Sequence, residues 1–244
     1  MQVGERAAFR IPNSEFDPCQ NFALLIRKDA KTSEKAQMSQ SAGSRSQAVT
    51  LFASLPFNHD MNSPWVRSAR LIAMVGRIEH VLELLNDAGV RYLVVGGVAV
   101  VLHGHLRTTA DLDLVLDLQP DNVRVAVAAL AANGFRPRAP VKFEDFADPA
   151  IRSSWIDDKN LEVFSLWHPD IPGFEVDLFV TVPFDFNAVY DRRIDLPIER
   201  TSAPVIGLAD LIELKQAAGR HRDVEDVRAL RALSEDGTDG GQNR

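Results

Sequence analysis

The residues best spaced for chemistry in this chain are two aspartates one position apart and a pair of glycines upstream of them. Asp111-Leu112-Asp113 opens a run in which Leu112, Leu114 and Leu116 fall on one face of a strand. Asp111, Asp113 and Asp117 share the other face with Val115. Carboxylates at i and i+2 on a strand face sit about 6–7 Å apart at the backbone, so their side chains can converge. Alone they repel, because each like charge disfavours ionisation of the other. A Mg²⁺ ion makes the pair useful, since it takes one or two carboxylates together with phosphate oxygens and water. Gly96-Gly97 fits the same chemistry: glycine lets the backbone approach a ligand, and the N–H groups of a following helix would point at a phosphate. An alternating strand with its acids outward is also the commonest form of a solvated sheet face, and these residues alone leave both readings open.

The flanking pattern says what would hold these residues. An apolar run over 92–95 suits a buried strand ending at the glycines, and a short run of apolar helix formers leads to the acidic strand. Over 174–180 the pattern alternates again, with Phe174, Val176, Leu178 and Val180 on one face and Glu175 and Asp177 on the other. Helical spacing marks 66–88, where Val75, Ile78, Leu82 and Leu85 recur before Asn86, Asp87 and Gly89. A helix starts at Pro120 and closes at Asn133-Gly134. A short strand and a turn are expected over 135–146. Asp157-Asp158-Lys159-Asn160 reads as a turn with solvated acids. Over 207–233 two helices are split at Gly219, and Lys215 falls within the apolar stripe of the first, where a lysine can snorkel its charge to water. Asp223 suits an N-cap, with Asp226 in the first turn of the second helix.

Gly96-Gly97, thirteen residues, then Asp111-Leu112-Asp113 resembles the signature of the DNA polymerase beta-like nucleotidyltransferases. The fuller wording, from Gly96-Gly97 through Ala99, His103-Gly104, Arg107 and Thr109 to Asp111 and Asp113, is similar to the branch holding minimal nucleotidyltransferases and AbiEii-like abortive-infection toxins. The resemblance covers roughly 78–233. It departs at Gly97, where many members carry serine, so phosphate contact here becomes a matter of backbone. The resemblance implies an α/β domain of the nucleotidyltransferase fold, a small mixed sheet flanked by helices with a C-terminal helical pair. It implies a third metal carboxylate from a later strand, matched by Asp177 with Glu175 as the fallback, and two Mg²⁺ ions shared among Asp111, Asp113 and Asp177. Gly96, Gly97, Arg107, Thr109, Lys215 and Asp226 match the nucleotide pocket, with Lys215 on the triphosphate. On that basis Lys215→Met is expected to weaken NTP binding while stability holds. The implied reaction moves an NMP from an NTP to a hydroxyl of RNA, protein or a small molecule. The implied partners are an antitoxin or another helical protein.

Composition narrows the alternatives. The 244 residues carry a net charge of −7, which argues against a general nucleic-acid coat but leaves room for a local basic groove. A single cysteine, Cys19, excludes an intramolecular disulfide framework. No Gly-x-Gly-x-x-Gly and no Gly-Lys-Ser/Thr motif is present, which sets aside dinucleotide-binding and P-loop readings. No long apolar run and no signal-like N-terminus is visible, and a cytoplasmic protein is expected. Three regions follow: an N-terminal extension over 1–65, expected to be mostly disordered; the domain over 66–233; and a flexible tail over 234–244. Short apolar patches at 22–26 and 49–57 interrupt the extension, and Met61 or Met74 would serve equally as a natural start.

Overall fold

Tyr92–Val94 is buried at every residue and forms β1, at the middle of the sheet. A computed structural model of the chain describes residues 64–238, with side chains over 74–234. Helix α1 (Pro64–Asp87) turns Val75, Ile78, Val81, Leu82 and Leu85 inward at helical spacing and ends at Gly89, whose φ is +69°. Its end is tied to the sheet through Asn86, which donates to Thr201 Oγ1 and the Ser202 carbonyl, both at 2.8 Å, and accepts from the Tyr92 hydroxyl at 2.9 Å.

After β1 the chain makes a short helix, α2 (Gly96–Leu102), and then β2 (Asp111–Leu116), which runs antiparallel to β1. Helix α3 (Pro120–Ala132) begins with proline at its first turn. Two-residue β3 (Arg136–Pro137) and a 3₁₀ turn (Phe143–Ala147) follow, then α4 (Pro149–Lys159), β4 (Val163–Trp167) and β5 (Glu175–Phe179). Helix α5 (Phe186–Asp191) precedes a hairpin of β6 (Ile194–Ile198) and β7 (Thr201–Val205), and α6 (Leu208–Ala218) and α7 (His221–Thr238) close the described chain. The seven-stranded mixed sheet has the order β3-β4-β5-β2-β1-β7-β6, with β2 parallel to β5 and β1 parallel to β7. This is the expected α/β architecture, with the strands starting at Tyr92, Asp111 and Glu175 adjacent and the C-terminal helices parted at Gly219 (φ +62°).

Each sheet face has its own chemistry. Phe164 on β4 is stacked by Trp155 of α4 at 5.3 Å and by Phe146 of the 3₁₀ turn at 4.9 Å, so this face belongs to the core with Leu166, Val176 and Leu178. On the opposite face Ser165, Trp167, Glu175, Asp177 and Asp113 are half-buried, and Asp111 is exposed.

Several expectations need correction. Asp157-Asp158-Lys159 is the last turn of α4 rather than a turn outside regular structure, and its acids are exposed as expected. The Asp148 side chain accepts from Ala150 N at 2.8 Å to start that helix, and Asn160 ends it in the left-handed conformation, with φ of 49°. Helix α7 runs to Thr238 and α1 from Pro64, each a few residues past the expected bounds of the domain. The β6–β7 hairpin was not anticipated, since Pro197 and Pro204 argue against strands. The N-terminal extension before Pro64, with both apolar patches, and the last residues after Thr238 lie outside the described residues. No helix among the described residues is long and apolar enough to cross a membrane.

Candidate active site

Parallel pairing of β2 with β5 sets Asp111 against Glu175 and Asp113 against Asp177. Neighbouring strands lie about 4.8 Å apart, and residues in register share a face, so the four acids form a block two by two. Arg138 separates their roles. Its Nε donates to Glu175 Oε1 at 2.9 Å and a second guanidinium nitrogen meets the same oxygen, so Glu175 already has a cation. Asp177 has none among the described residues: its Oδ1 is buried with no hydrogen-bond partner there.

The missing positive charge is visible in the titration of the block. Burial pushes the Asp113 carboxyl up to about 6, with Asp177 and Asp111 adding to it while the Gly97 N–H and Lys215 pull the other way. Asp177 is raised by burial first, and the Ser165 hydroxyl from β4 opposes the shift. Asp111 is raised by burial and then by Glu175.

The glycines fit beneath this block. Gly96 has a φ of +61°, and a side chain there would place its Cβ 1.9 Å from Asp113 Oδ2. At Gly97 a Cβ would fall 2.5 Å from Thr109 Oγ1 and 2.7 Å from Arg107 Nη2. Glycine stands at 97 because Arg107 and Thr109 fill the space a hydroxymethyl group would need. The Gly97 N–H, expected to be free for phosphate, points at Asp113 Oδ2 at 3.3 Å, a long and weak contact. Thr109 donates to the Asp111 carbonyl at 3.3 Å, which fixes the loop entering β2, and His103 ties α2 to the Ile206 carbonyl at 2.8 Å.

The C-terminal helices add a second charged cluster. Lys215 does not snorkel. Its side chain is 6 % exposed, with Nζ 2.9 Å from Asp223 Oδ1 and 2.7 Å from Asp226 Oδ2. Asp226 also meets Arg107 Nε at 3.0 Å, so the loop before β2 is clamped to α7. The Arg107–Asp226–Lys215 contacts are charge to charge, at angles that leave Arg107 Nε and Asp226 Oδ2 without a hydrogen bond. Asp223 lies inside α7 with its carboxylate on Lys215, rather than capping the helix. Arg220 is turned to Glu162 at 2.8 Å on the surface, and His221 is exposed.

Residues 69–235 match the family described as "Nucleotidyltransferase of unknown function (DUF6036)". The chain belongs to that family. It is an enzyme of the nucleotidyltransferase class, and the acidic block sits inside the matched region. No curated protein matches the chain. Two solved structures are similar in outline. One is TM1012, a presumed nucleotidyltransferase from Thermotoga maritima, at 15% identity and a TM-score of 0.42 over 67% of this chain and 93% of that one. The other is ANT(2")-Ia in complex with adenylyl-2"-tobramycin, at 12% identity and a TM-score of 0.44 over 68% of this chain and 97% of that one.

The donors on this nucleotidyltransferase's acidic face suit a hard cation. They are carboxylate oxygens, one of them buried and without a hydrogen-bond partner among the described residues, in a block whose ionisation is disfavoured by burial first and then by its own charge. Among the described residues no group of three or more His, Cys, Asp or Glu side chains is drawn together as a complete metal cage. Mg²⁺ asks for less, because it keeps several waters and takes the rest of its ligands from phosphate.

Ser165, Arg138 and Trp167 are parts of this face that sequence reasoning missed. The alternation of 163–167 was available as a signal, but nothing in the sequence says that β4 lies beside β5.

Proposed function

We propose that the acidic face of β2 and β5 transfers a nucleoside monophosphate from an NTP to a hydroxyl acceptor, with Mg²⁺ held by Asp111, Asp113 and Asp177. The observation that carries this reading is the cross-strand pair of Asp113 with Asp177, whose buried Oδ1 has no partner, beside the glycine turn. Two bound Mg²⁺ ions would lower the pKa of the acceptor hydroxyl and neutralise charge gathering on the phosphates.

The chain's own residues then have distinct tasks. Gly96 and Gly97 keep the floor open beneath Asp113. Arg107 and Lys215 supply positive charge next to that floor, and Asp226 holds both cations in place. Thr109 fixes the loop that carries Arg107. Asp177, across the block from the glycine turn, faces the acceptor. The acceptor oxygen forms a bond to the α-phosphorus as the bond from that phosphorus to the β-phosphate oxygen breaks. Pyrophosphate leaves with the electron pair, and the hydroxyl proton passes to Asp177 and on to water.

The test is to incubate the full chain with each α-labelled NTP and a cell extract, with and without Mg²⁺. Label should pass to an acceptor only with Mg²⁺, and Asp113→Asn should abolish it. Absence of labelling with all four NTPs would overturn the reading. The toxin role is supported by the sequence resemblance alone. It predicts that expression stalls growth, that Asp113→Asn relieves the stall, and that a partner protein does the same.

A further inference from the structure

Nucleotidyl transfer as described uses only half of the open sheet face. The registers extend the acidic block outward in two rows. Asp111 and Glu175 continue to Trp167 on β4 and Arg136 on β3. Asp113 and Asp177 continue to Ser165, whose carbonyl accepts from the Arg138 backbone N–H at 2.9 Å. Across four strands the face therefore changes from four carboxylates on β2 and β5 to an indole on β4, with Arg138 against its ring and Arg136 in register with it on β3. The Arg138 guanidinium lies 5.8 Å from the centre of the Trp167 ring and is held there by Glu175, with its side chain 56% exposed. Arg136 is exposed and forms no ion pair with any described residue.

Stability does not account for this arrangement. An exposed ion pair such as Arg138–Glu175 contributes little. Guarding the sheet edge explains Pro137 and a charge on β3, but not a half-buried tryptophan on the acid face beside them. Charge does account for it. A net −7 chain with a carboxylate block repels an anionic acceptor everywhere except at a local cationic entrance, and the β3 side supplies one beside Glu175, at the border of the block. A cationic acceptor would be drawn to the acids without that entrance and repelled by it. An aromatic ring bordered by arginines is the combination that stacks a base and meets its phosphates.

We infer that Trp167, Arg136 and Arg138 form the acceptor subsite of this enzyme and receive the 3′-terminal nucleotide of a single-stranded nucleic acid. Its base stacks on Trp167, its phosphate meets Arg136 and Arg138, and its terminal hydroxyl turns toward Asp177. The placement of that hydroxyl rests on the transfer reaction proposed above. The binding of the strand does not.

The experiment is equilibrium binding of 5′-labelled, mixed-sequence single strands to the full chain at about 50 mM salt, without Mg²⁺ or nucleotide. Ribo- and deoxyribo-oligonucleotides are run as separate arms to identify the sugar. Arg136→Glu and Trp167→Ala should each weaken binding about tenfold or more, and Trp167→Phe should recover most of it. Asp113→Asn should bind as well as the unaltered chain or better. If Trp167→Ala fails to fold, Arg136→Glu decides, because that side chain is exposed. Absence of binding to either strand, or unchanged affinity in Arg136→Glu and Trp167→Phe together with unchanged affinity in any folded Trp167→Ala, overturns the subsite. Labelling of another acceptor at full rate in Arg136→Glu would overturn it too and leave the transfer reaction standing. Strand binding that depends on these residues in a chain with no NTP turnover would keep the subsite and remove the transfer reaction.

Discussion

Asp113 and Asp226 both lie near Lys215, yet they sit in opposite kinds of charged surroundings. Asp226, with its side chain 2% exposed, lies between Lys215 and Arg107, and Lys215 is shared in turn with Asp223. Two cations meet two carboxylates there, and the charges cancel. Asp113 faces Asp177 across the strands and Asp111 along its own strand, and only the distant pull of Lys215 and one long N–H contact offset them. The balanced cluster is paired before any ligand arrives and clamps the last helices to the loop before β2. The unbalanced one becomes favourable only when positive charge arrives. Within one domain, then, buried aspartates are paired with cations in one place and set against one another in the other.

The largest expected effect separates the two clusters directly. Asp113→Asn should cut Mg²⁺-dependent NTP turnover by on the order of 10³-fold. The same change should make the metal-free fold more stable at neutral pH, by up to about 3 kcal/mol, since it removes a carboxylate whose pKa is displaced from 3.8 to about 6. Chemical denaturation with and without Mg²⁺, beside a turnover assay, measures both. A stability loss with turnover intact would move Asp113 into the class of Asp226.

Lys215→Met should do the reverse to stability. The sequence suggested a charge free to reach triphosphate and a variant of unchanged stability, but Lys215 is buried against Asp223 and Asp226. Removing it leaves two carboxylates with only Arg107 beside them, so a loss of about 3 kcal/mol is expected. An unfolding midpoint within error of the parent would show that the cluster is looser than its geometry.

The pH dependence has a definite sign. Folded Asp113 keeps its proton up to about pH 6, whereas the unfolded chain releases it near 3.8. The folded state binds more protons in that window, so the metal-free fold loses stability as pH rises from about 4 to 6 and levels off above. Asp111 and Asp177 are displaced in the same direction and add to the loss with rising pH. Saturating Mg²⁺ should flatten the slope. A metal-free fold that gains stability across this range would mean that the acids are paired after all.

Gly97→Ser tests the floor between the two clusters. Its Cβ would meet Thr109 Oγ1 and Arg107 Nη2 well inside contact distance, so Arg107 must leave Asp226 or the loop must shift. A loss of about 1–2 kcal/mol and weaker NTP binding are expected. Parent-like values would mean that the loop moves freely.

The sheet was readable wherever alternation or helical spacing ran long enough, as in β2, β5, α1 and α3. Two of those stretches, β2 and β5, carried Asp111, Asp113 and Asp177, while the glycines stand outside them at the start of α2. What stayed hidden was partnership. Asp226 as a bridge between Lys215 and Arg107 depends on how α7 crosses α6, and nothing in 215–226 reports that crossing. Arg138 and Trp167 depend on the order β3-β4-β5, which loop lengths do not dictate. Pro197 lies on β6, an edge strand where proline is tolerated, so only Pro204 on β7, inside the sheet, runs against the local rule.

The smallest effect is expected at Glu175, and it sharpens the comparison inside the acidic block itself. Glu175 and Asp177 lie two residues apart on one face of β5, and from sequence either could complete a metal site with Asp111 and Asp113. Arg138 distinguishes them, since Glu175 carries its own cation at the rim while Asp177 has a buried oxygen with no partner. Glu175→Gln should therefore change stability by less than about 1 kcal/mol, as for other exposed ion pairs. It should also let Asp111 ionise more easily, because Glu175 is among the charges that raise its pKa. Its transfer chemistry, assayed on a nucleoside acceptor too short to need Arg138, should stay within about threefold of the parent, a difference of under 1 kcal/mol in the barrier. Asp177→Asn under the same conditions should resemble Asp113→Asn. If Glu175→Gln instead loses turnover and Asp177→Asn keeps it, Arg138 is a removable latch on the true third ligand, and the metal site lies one row nearer the open edge of the sheet.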